Sequence, residues 1–465
     1  MADADLAYAG IAELAPRIAS GELSPVELTE VVLERIGRLN PKLHAYITVT
    51  AEAARRAAEE AAREIAGGRH RGPLHGIPIA VKDAFVTEGV RTTFGALLHQ
   101  DDMPGHDAAL VERLKVAGAV LLGKTNLHEV TIGTTSANPH FGWARNPWNP
   151  DCHPGGSSGG SAAALAAGMA HGSIGGDTGG SIRQPAACCG VVGLKPTYGL
   201  LSKYGSYPVA WSLDHVGPMT RTVRDAALML KALAGHDPRD PASLDRPPSD
   251  YTAGLAGDIR GWRIGVSRRY HFEACDPEVL DAVEAAIERL RDLGAKVQEI
   301  ELPDMQAAHA AGTVILFSEA AAYHAADLRA RPEAYSGAMR DLLEVGGLFT
   351  AAQYLSAQRL RRRLAEETAQ AMADLDAILL PTSPVPATPI EPDVPEHAVL
   401  RGRNCISFNV VSLPAVSVPC GFTRAGLPVG LQIVGHAFDE AGVLAIAHAY
   451  EQATDWHERR PLFAE

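Results

Sequence analysis

Apolar positions recur along the chain at two spacings, helical and strand-like, and the two alternate. Ser24-Pro25-Val26-Glu27 offers a capping hydroxyl, a proline suited to the first helical position and an acid at the third. Leu28, Val31, Val32 and Ile36 follow at helical spacing. A second helix is expected over 51–65, with Arg55 and Glu59 one turn apart and Gly67-Gly68 ending it. Gly76-Ile77-Pro78-Ile79-Ala80-Val81-Lys82 is continuously apolar and reads as a buried strand that ends in a cation. Residues 107–117 read as an amphipathic helix and 119–122 as another buried strand. Beyond them the pattern predicts a helix over 222–234, a polar, Pro-rich surface loop over 238–260 and a strand over 262–266. A helix over 277–293, a strand over 296–300, a long helix over 351–375 and a strand over 377–380 follow. This order predicts a layered α/β fold. No linker or repeat interrupts it, so 1–465 is read as one domain.

Composition narrows the class. With 465 residues, 46% hydrophobic and 21% charged, the chain can bury a large core, which excludes disordered, collagenous and coiled-coil classes. The net charge of −13 is spread without blocks, so no direct nucleic-acid partner is expected. Of the 42 cationic residues only eight are lysines; genome composition accounts for the bias, and it makes each retained Lys a candidate for a position where Arg could not serve. Six cysteines without a C-x-x-C pair suit a reducing compartment. The start, Met1-Ala-Asp-Ala-Asp, is acidic where a signal peptide is basic, and Ala162–Ala167 is too short to span a bilayer. A cytoplasmic protein with no membrane partner is expected. His70, His75, His128 and His171 are scattered and no H-E-x-x-H occurs, so neither a metal nor a cofactor is expected. The basic run Arg359–Arg363 is answered by Glu366 and Glu367 and reads as a solvated helix face.

Two familiar motifs mislead. Gly118-Ala-Val-Leu-Leu-Gly123-Lys124-Thr125 fits the phosphate-binding loop, but its interior is apolar and a helix, not a strand, precedes it. Gly155-Gly156-Ser157-Ser158-Gly159 fits the nucleophile elbow of α/β-hydrolases, but loop residues precede it. A Ser-His-Asp site would draw on His436 or His448 with Asp439, and it stands as a second alternative.

Residues 155–205 hold 14 of the 45 glycines, with Gly-Gly-Ser three times, and their apolar runs and prolines suit tightly packed backbone rather than a linker. From Gly155 to Ser161 and from Gly175-Gly-Asp177-Thr178-Gly179-Gly180-Ser181-Ile182-Arg183-Gln184-Pro185, the chain closely resembles the amidase signature family. The resemblance extends, in the family's order, over 76–83, 118–126, 190–198, 376–384 and 426–435. It implies an α/β/α fold around a large mixed sheet, covered by helices on both faces. It divides the chain into an N-terminal helical segment (1–68), a catalytic core (69–300), a variable pocket region (301–375) and C-terminal core elements (376–465). It further implies a Ser-cisSer-Lys triad that cleaves linear amides through an acyl-enzyme, with Lys82 as base, Ser157 as the cis-peptide serine and Ser181 as nucleophile.

The chemistry is sound residue by residue. A serine hydroxyl needs a base, and a lysine serves near neutral pH only when burial lowers its pKa by several units. Gly76–Val81 supplies apolar burial, and a guanidinium could not take the role. On that segment alone a strand-ending lysine in solvent is favoured; the resemblance reverses this. Ser157 between Lys82 and Ser181 could relay protons both ways. The backbone N–H groups of Thr178, Gly179, Gly180 and Ser181 suit an oxyanion hole, with Ser158, Asp177 and Arg183 as supporting residues. Phe317, Tyr323 and Phe349 are candidate pocket residues, equally accounted for by helix packing.

The expected partner is a small-molecule amide, with anilides, carbamates and carboxybiuret-like compounds as variants; a homodimer is left open. Ser181–Pro185 also resembles the glutamine-hydrolysing A-subunit branch of the tRNA-dependent amidotransferases, the first alternative. The stretch Ser318–Arg329 lacks that branch's Tyr-Asp-Gly-x-Arg-Tyr-Gly segment, and the stand-alone amidase is therefore placed first. Ser412 stands where the family commonly has Gly, which puts the backbone near Pro414 in question.

Overall fold

The apolar run that ends at Lys82 does form a strand buried on both faces, and the residues that cover it explain why. In the computed structural model, which describes residues 3–464 apart from 248, 256, 392–396, 398 and 399, Pro78–Lys82 is buried throughout. Met1 and Ala2 of the acidic start lie outside the described residues. Ile79 and Val81 pack into one apolar cluster with the helices Val223–Leu233 and Glu440–Gln452, whereas Ala80 packs into a second with Pro25–Leu43 and Gly159–Ala166. Successive side chains point to opposite faces, and here both faces are covered, so no polar alternation is needed.

The strands of the main sheet are β1 (Tyr46–Val49), β2 (Pro78–Lys82), β3 (Val120–Thr125), β4 (Gly172–Asp177), β5 (Val192–Lys195), β6 (His215–Thr220), β7 (Arg263–Val266), β8 (Lys296–Glu299), β9 (Ala377–Pro381), β10 (Ala415–Phe422) and β11 (Pro428–Val434). They form one sheet in the order β1-β3-β2-β4-β6-β5-β10-β11-β9-β7-β8. β2 runs parallel to β3 and β4, and β7 parallel to β8 and β9; the other pairs are antiparallel. The mixed α/β sheet flanked by helices is the fold expected from the sequence.

Most predicted elements are present. The helices Pro25–Leu43, Ala51–Ala66, Ala109–Val116, Val223–Leu233, Pro277–Asp292 and Ala351–Ala371 fall where the periodicity puts them. The Ser24 hydroxyl caps the first by accepting from the Val26 N–H at 3.2 Å. Three expectations need correction. Arg55 does not pair with Glu59 but with Glu30 at 2.7 Å and Glu52 at 2.7 Å, because the preceding helix brings Glu30 alongside. Arg361 is not solvated: its Nε donates to the Val410 carbonyl at 3.0 Å, while Arg362 and Arg363 do pair outward with Glu366 and Glu367. The strand predicted over 119–122 runs on to Thr125 and absorbs the phosphate-loop look-alike.

The glycine-rich stretch is not loop throughout. It contains the helix Gly159–Ala166, β4 and the helix Arg183–Cys189; one Gly-Gly-Ser turn, 155–157, leads into the first helix and another, 179–181, joins β4 to the second. Residues 301–375 hold three α-helices, Met305–Ala330, Gly337–Gly346 and Ala351–Ala371; the N-cap Asp304 of the longest accepts from the Ala307 N–H at 2.9 Å. Ser412 adopts φ +62°, the left-handed backbone that glycine takes at no steric cost, and its hydroxyl accepts from Arg361 at 3.2 Å.

Candidate active site

Lys82, at the end of β2, is 1% exposed and donates from Nζ to Ser157 Oγ at 2.8 Å. Burial pushes its pKa down to about 7, while the carboxylates of Asp177 and Asp214 pull part of the way back. Ser157 follows a cis peptide bond from Gly156. The Gly156 N–H donates to Gln184 Oε1 at 2.8 Å, and the Ser157 carbonyl accepts from the His128 N–H and the Ser136 hydroxyl, each at 3.2 Å. Gly156 has no room for a side chain: a Cβ there would stand 2.7 Å from the Thr135 nitrogen.

The two Gly-Gly-Ser turns are bonded to each other. The Ser158 N–H donates to the Ser181 carbonyl at 3.2 Å, and Ser158 Oγ donates to the Gly176 carbonyl at 3.2 Å. Asp177 organises the second turn from inside. Its carboxylate accepts from the N–H groups of Gly180 at 2.8 Å and Ile182 at 3.1 Å, from Arg183 Nε at 3.0 Å and from Asn409 Nδ2 at 2.8 Å. Burial alone would raise the Asp177 pKa, but the Arg183 guanidinium outweighs it and holds the carboxyl well below its usual range. Arg183, also fully buried, reaches on to Gln432 Oε1 at 2.6 Å and Asn409 Oδ1 at 2.7 Å. The inferred Asp177–Arg183 pairing is present, and its partners come from segments more than 200 positions away. Gly180 takes φ +123°, with Cys405 where a Cβ would go.

This arrangement corrects one expectation. The Gly180 N–H is spent on Asp177, so it does not face a ligand. The N–H groups of Thr178, Gly179 and Ser181 have no partner among the described residues. The Thr178 hydroxyl donates to Asp214 at 2.6 Å, and Asp214, whose pKa burial raises, shares a small void of about 20 Å³ with Lys82 and Ser157.

Ser181 lines a separate open cleft of about 450 Å³ together with Gly156, Thr178, Gly179 and Gly180. The face of Met305–Ala330 that carries His309, Thr313, Leu316 and Phe317 also lines it, as do Arg403 and Ile406 of the helix Arg403–Val410. The matching family model, Amidase, covers residues 27–444. The chain belongs to the amidase family. It is 44% identical to the A subunit of the glutamyl-tRNA(Gln) amidotransferase of Geobacter metallireducens, over 97% of this chain and 98% of that one. It superposes with a TM-score of 0.91, at 36% identity and 96% and 98% coverage, on a structure described as revealing the evolutionary origins of an s-triazine catabolic enzyme. The native peptide amidase of Stenotrophomonas maltophilia gives a TM-score of 0.87, at 38% identity and 97% and 98% coverage.

Within this amidase-family frame the residues singled out from the sequence divide clearly. Lys82, Ser157, Ser158, Asp177, Thr178, Gly179, Gly180, Ser181 and Arg183 are gathered at the ends of β2 and β4. Phe317 lines the cleft; Tyr323 and Phe349 do not. Tyr323 lies nearly two turns beyond Phe317, about 9 Å along the helix axis, and packs on Tyr207 at 5.4 Å between ring centroids. Phe349 follows the helix Gly337–Gly346 in a turn outside the lining. The histidine alternative also fails geometrically. His436 bonds the Leu375 carbonyl at 2.7 Å, Asp439 caps the helix Glu440–Gln452, and His448 lies 3.7 Å from Glu451; none lines the cleft. Sequence reading missed Asn409, Gln432, Asp214 and Gln184 as supports. Only Gln184, within the signature stretch, carried a local signal. No described helix is long and apolar enough to cross a membrane, and no metal-binding cluster occurs among the described residues.

Proposed function

We propose that the chain is a single catalytic unit, working in the cytoplasm, that hydrolyses a linear amide through an acyl-enzyme on Ser181. The observation that carries this reading is the 2.8 Å contact from Lys82 Nζ to Ser157 Oγ, made by a buried lysine with a pKa of about 7. In the forward step neutral Lys82 takes the Ser157 proton while Ser157 takes that of Ser181, whose oxygen attacks the amide carbon. The N–H groups of Thr178, Gly179 and Ser181 receive the developing oxyanion. The proton returns through Ser157 to the departing nitrogen, the C–N bond breaks, and water releases the acyl group by the same path.

For the identity of the amide, the curated relatives favour the reading that the sequence placed second, glutamine hydrolysis within a tRNA-dependent amidotransferase. The 44% identity to the Geobacter metallireducens protein extends over 97% of the chain. A free small amide is the second reading, and one observation favours it: no Asp or Glu among the described residues lines the cleft to receive the glutamine ammonium.

The test is a fluorophosphonate probe together with ammonia release from glutamine. Labelling that disappears in Ser181→Ala supports the nucleophile, and labelling that survives overturns it. Glutaminase activity that needs co-purifying partner chains supports the amidotransferase; turnover of simple amides by the chain alone, with glutamine inert, supports the free amidase.

A further inference from the structure

β4 and β6 run antiparallel with Asp177 opposite His215, so one step past that pair Thr178 and Asp214 face each other. The Thr178 hydroxyl donates across this gap to Asp214 Oδ1 at 2.6 Å. The same carboxylate accepts from the Val209 N–H at 3.0 Å and from the Ala210 N–H at 3.1 and 3.2 Å, which closes the loop 209–214 around it. Its oxygens only accept from the described residues, the pattern of an ionised carboxylate. Asp214 and Ser206 line both the void beside Lys82 and an open recess of about 590 Å³, which leaves Asp214 in reach of water.

A second carboxylate holds the loop itself. Ser212 donates from its N–H at 3.0 Å and its hydroxyl at 2.6 Å to Glu319, which is buried on the helix Met305–Ala330, and the Tyr354 hydroxyl donates to the same group at 2.8 Å. Leu316 and Phe317 of that helix and Val209 of the loop line the cleft. The loop therefore ties the cleft helix to the turn that carries the Thr178 N–H. Of the two carboxylates that favour the Lys82 ammonium, Asp177 is in contact with Arg183, whereas Asp214 has no cation in contact among the described residues. The remaining titratable neighbours do not take its place. Burial and the Lys195 charge keep His215 neutral, burial keeps Tyr207 neutral, and Lys203 Nζ donates to the Trp211 carbonyl at 2.7 Å and the Tyr198 hydroxyl at 3.0 Å.

We propose that Asp214 is a positioning residue for the hydrolysis: its carboxylate holds the Thr178 end of the oxyanion turn and faces the Lys82 ammonium that forms during proton transfer, while Glu319 and Ser212 hold the loop that presents it. This rests on the amide-hydrolase reading above and adds to it a link from the cleft helix to the base. Asp214 touches neither the amide nor Ser181 in this scheme; it acts through Lys82 and through the Thr178 backbone.

The rate of fluorophosphonate labelling at Ser181, followed against pH, reads both effects. Asp214→Asn removes a charge that favours the Lys82 ammonium, so the inflection should move below its wild-type position by about half a pH unit or more. Thr178→Val cuts the hydroxyl link and leaves that charge in place; the plateau rate should fall about tenfold, and Thr178→Ser should recover most of it. Ser212→Ala should lower the plateau roughly threefold alone and add nothing in the Thr178→Val background, since both act through one chain of contacts. The Thr178 pair decides the case even where Asp214→Asn does not fold. An Asp214→Asn inflection that stays or moves up, a Thr178→Val plateau within about twofold of the wild type, no recovery in Thr178→Ser, or a Ser212→Ala loss undiminished in Thr178→Val overturns the proposal. Failure of the hydrolase reading shows separately, as fluorophosphonate labelling indifferent to Ser181→Ala.

Discussion

Two lysines at the ends of neighbouring parallel strands are equally withdrawn from water, yet their surroundings treat them in opposite ways. Lys82 and Lys124 are each 1% exposed, and Lys124 sits opposite Val81 in the β2–β3 register. Lys124 is answered in full: Asp83 Oδ1 lies at 3.1 Å, and Nζ also donates to the Phe85 carbonyl at 2.7 Å and the Thr92 hydroxyl at 2.8 Å. Lys82 has the Ser157 hydroxyl as its one hydrogen-bond partner among the described residues, and the carboxylates that act on it, Asp177 and Asp214, make no ion pair with it. Burial lowers the pKa of both. What distinguishes a base from a structural cation is therefore the partner: a carboxylate in contact keeps the ammonium, whereas a hydroxyl beside a desolvated amine leaves it free to exchange a proton.

The largest effect expected from breaking this contrast is at Lys82. Lys82→Ala should lower kcat/KM by about 10³-fold or more while the protein stays folded by circular dichroism, and Lys82→Arg should not rescue it, since a guanidinium remains charged. Retention of a tenth of the activity would put Lys82 in the same class as Lys124. The converse experiment is Lys124→Met, which strands the buried Asp83 carboxylate. It should cost about 3–5 kcal/mol in denaturant unfolding while activity per folded molecule stays within a few-fold of the wild type. A smaller cut, Thr92→Val, removes one acceptor from Lys124 and should cost about 1 kcal/mol in the same assay, with turnover unchanged.

The same contrast shows what could be read from the sequence. The apolar run before Lys82 made the buried strand legible but on its own favoured a lysine in solvent; the family resemblance reversed that reading and made Ser157, Ser181, Asp177 and Arg183 legible through the signature turns. Lys124 was recognisable only as something other than a phosphate ligand, because Asp83, Phe85 and Thr92 reach it through tertiary packing. Asn409 and Gln432 were hidden for the same reason: each meets Arg183 from a segment more than 200 positions on, and no local pattern encodes that approach. Gly180 shows the limit on the backbone side, where the sequence supplies an unobstructed N–H but not the Asp177 oxygen that occupies it. Phe317 and Tyr323 look alike in sequence, and only their positions along one helix separate the cleft from the Tyr207 contact.

The central claim is that neutral Lys82 activates Ser181 through Ser157, and the rate of fluorophosphonate labelling at Ser181 against pH tests it most directly. Because burial holds the Lys82 pKa at about 7, below that value the amine is protonated and cannot accept the relayed proton. Labelling should rise roughly tenfold per pH unit up to about 7 and level off above it, and Lys82→Ala should be slow and lose that inflection. A wild-type profile without an inflection near 7, or one that survives in Lys82→Ala, would contradict the account.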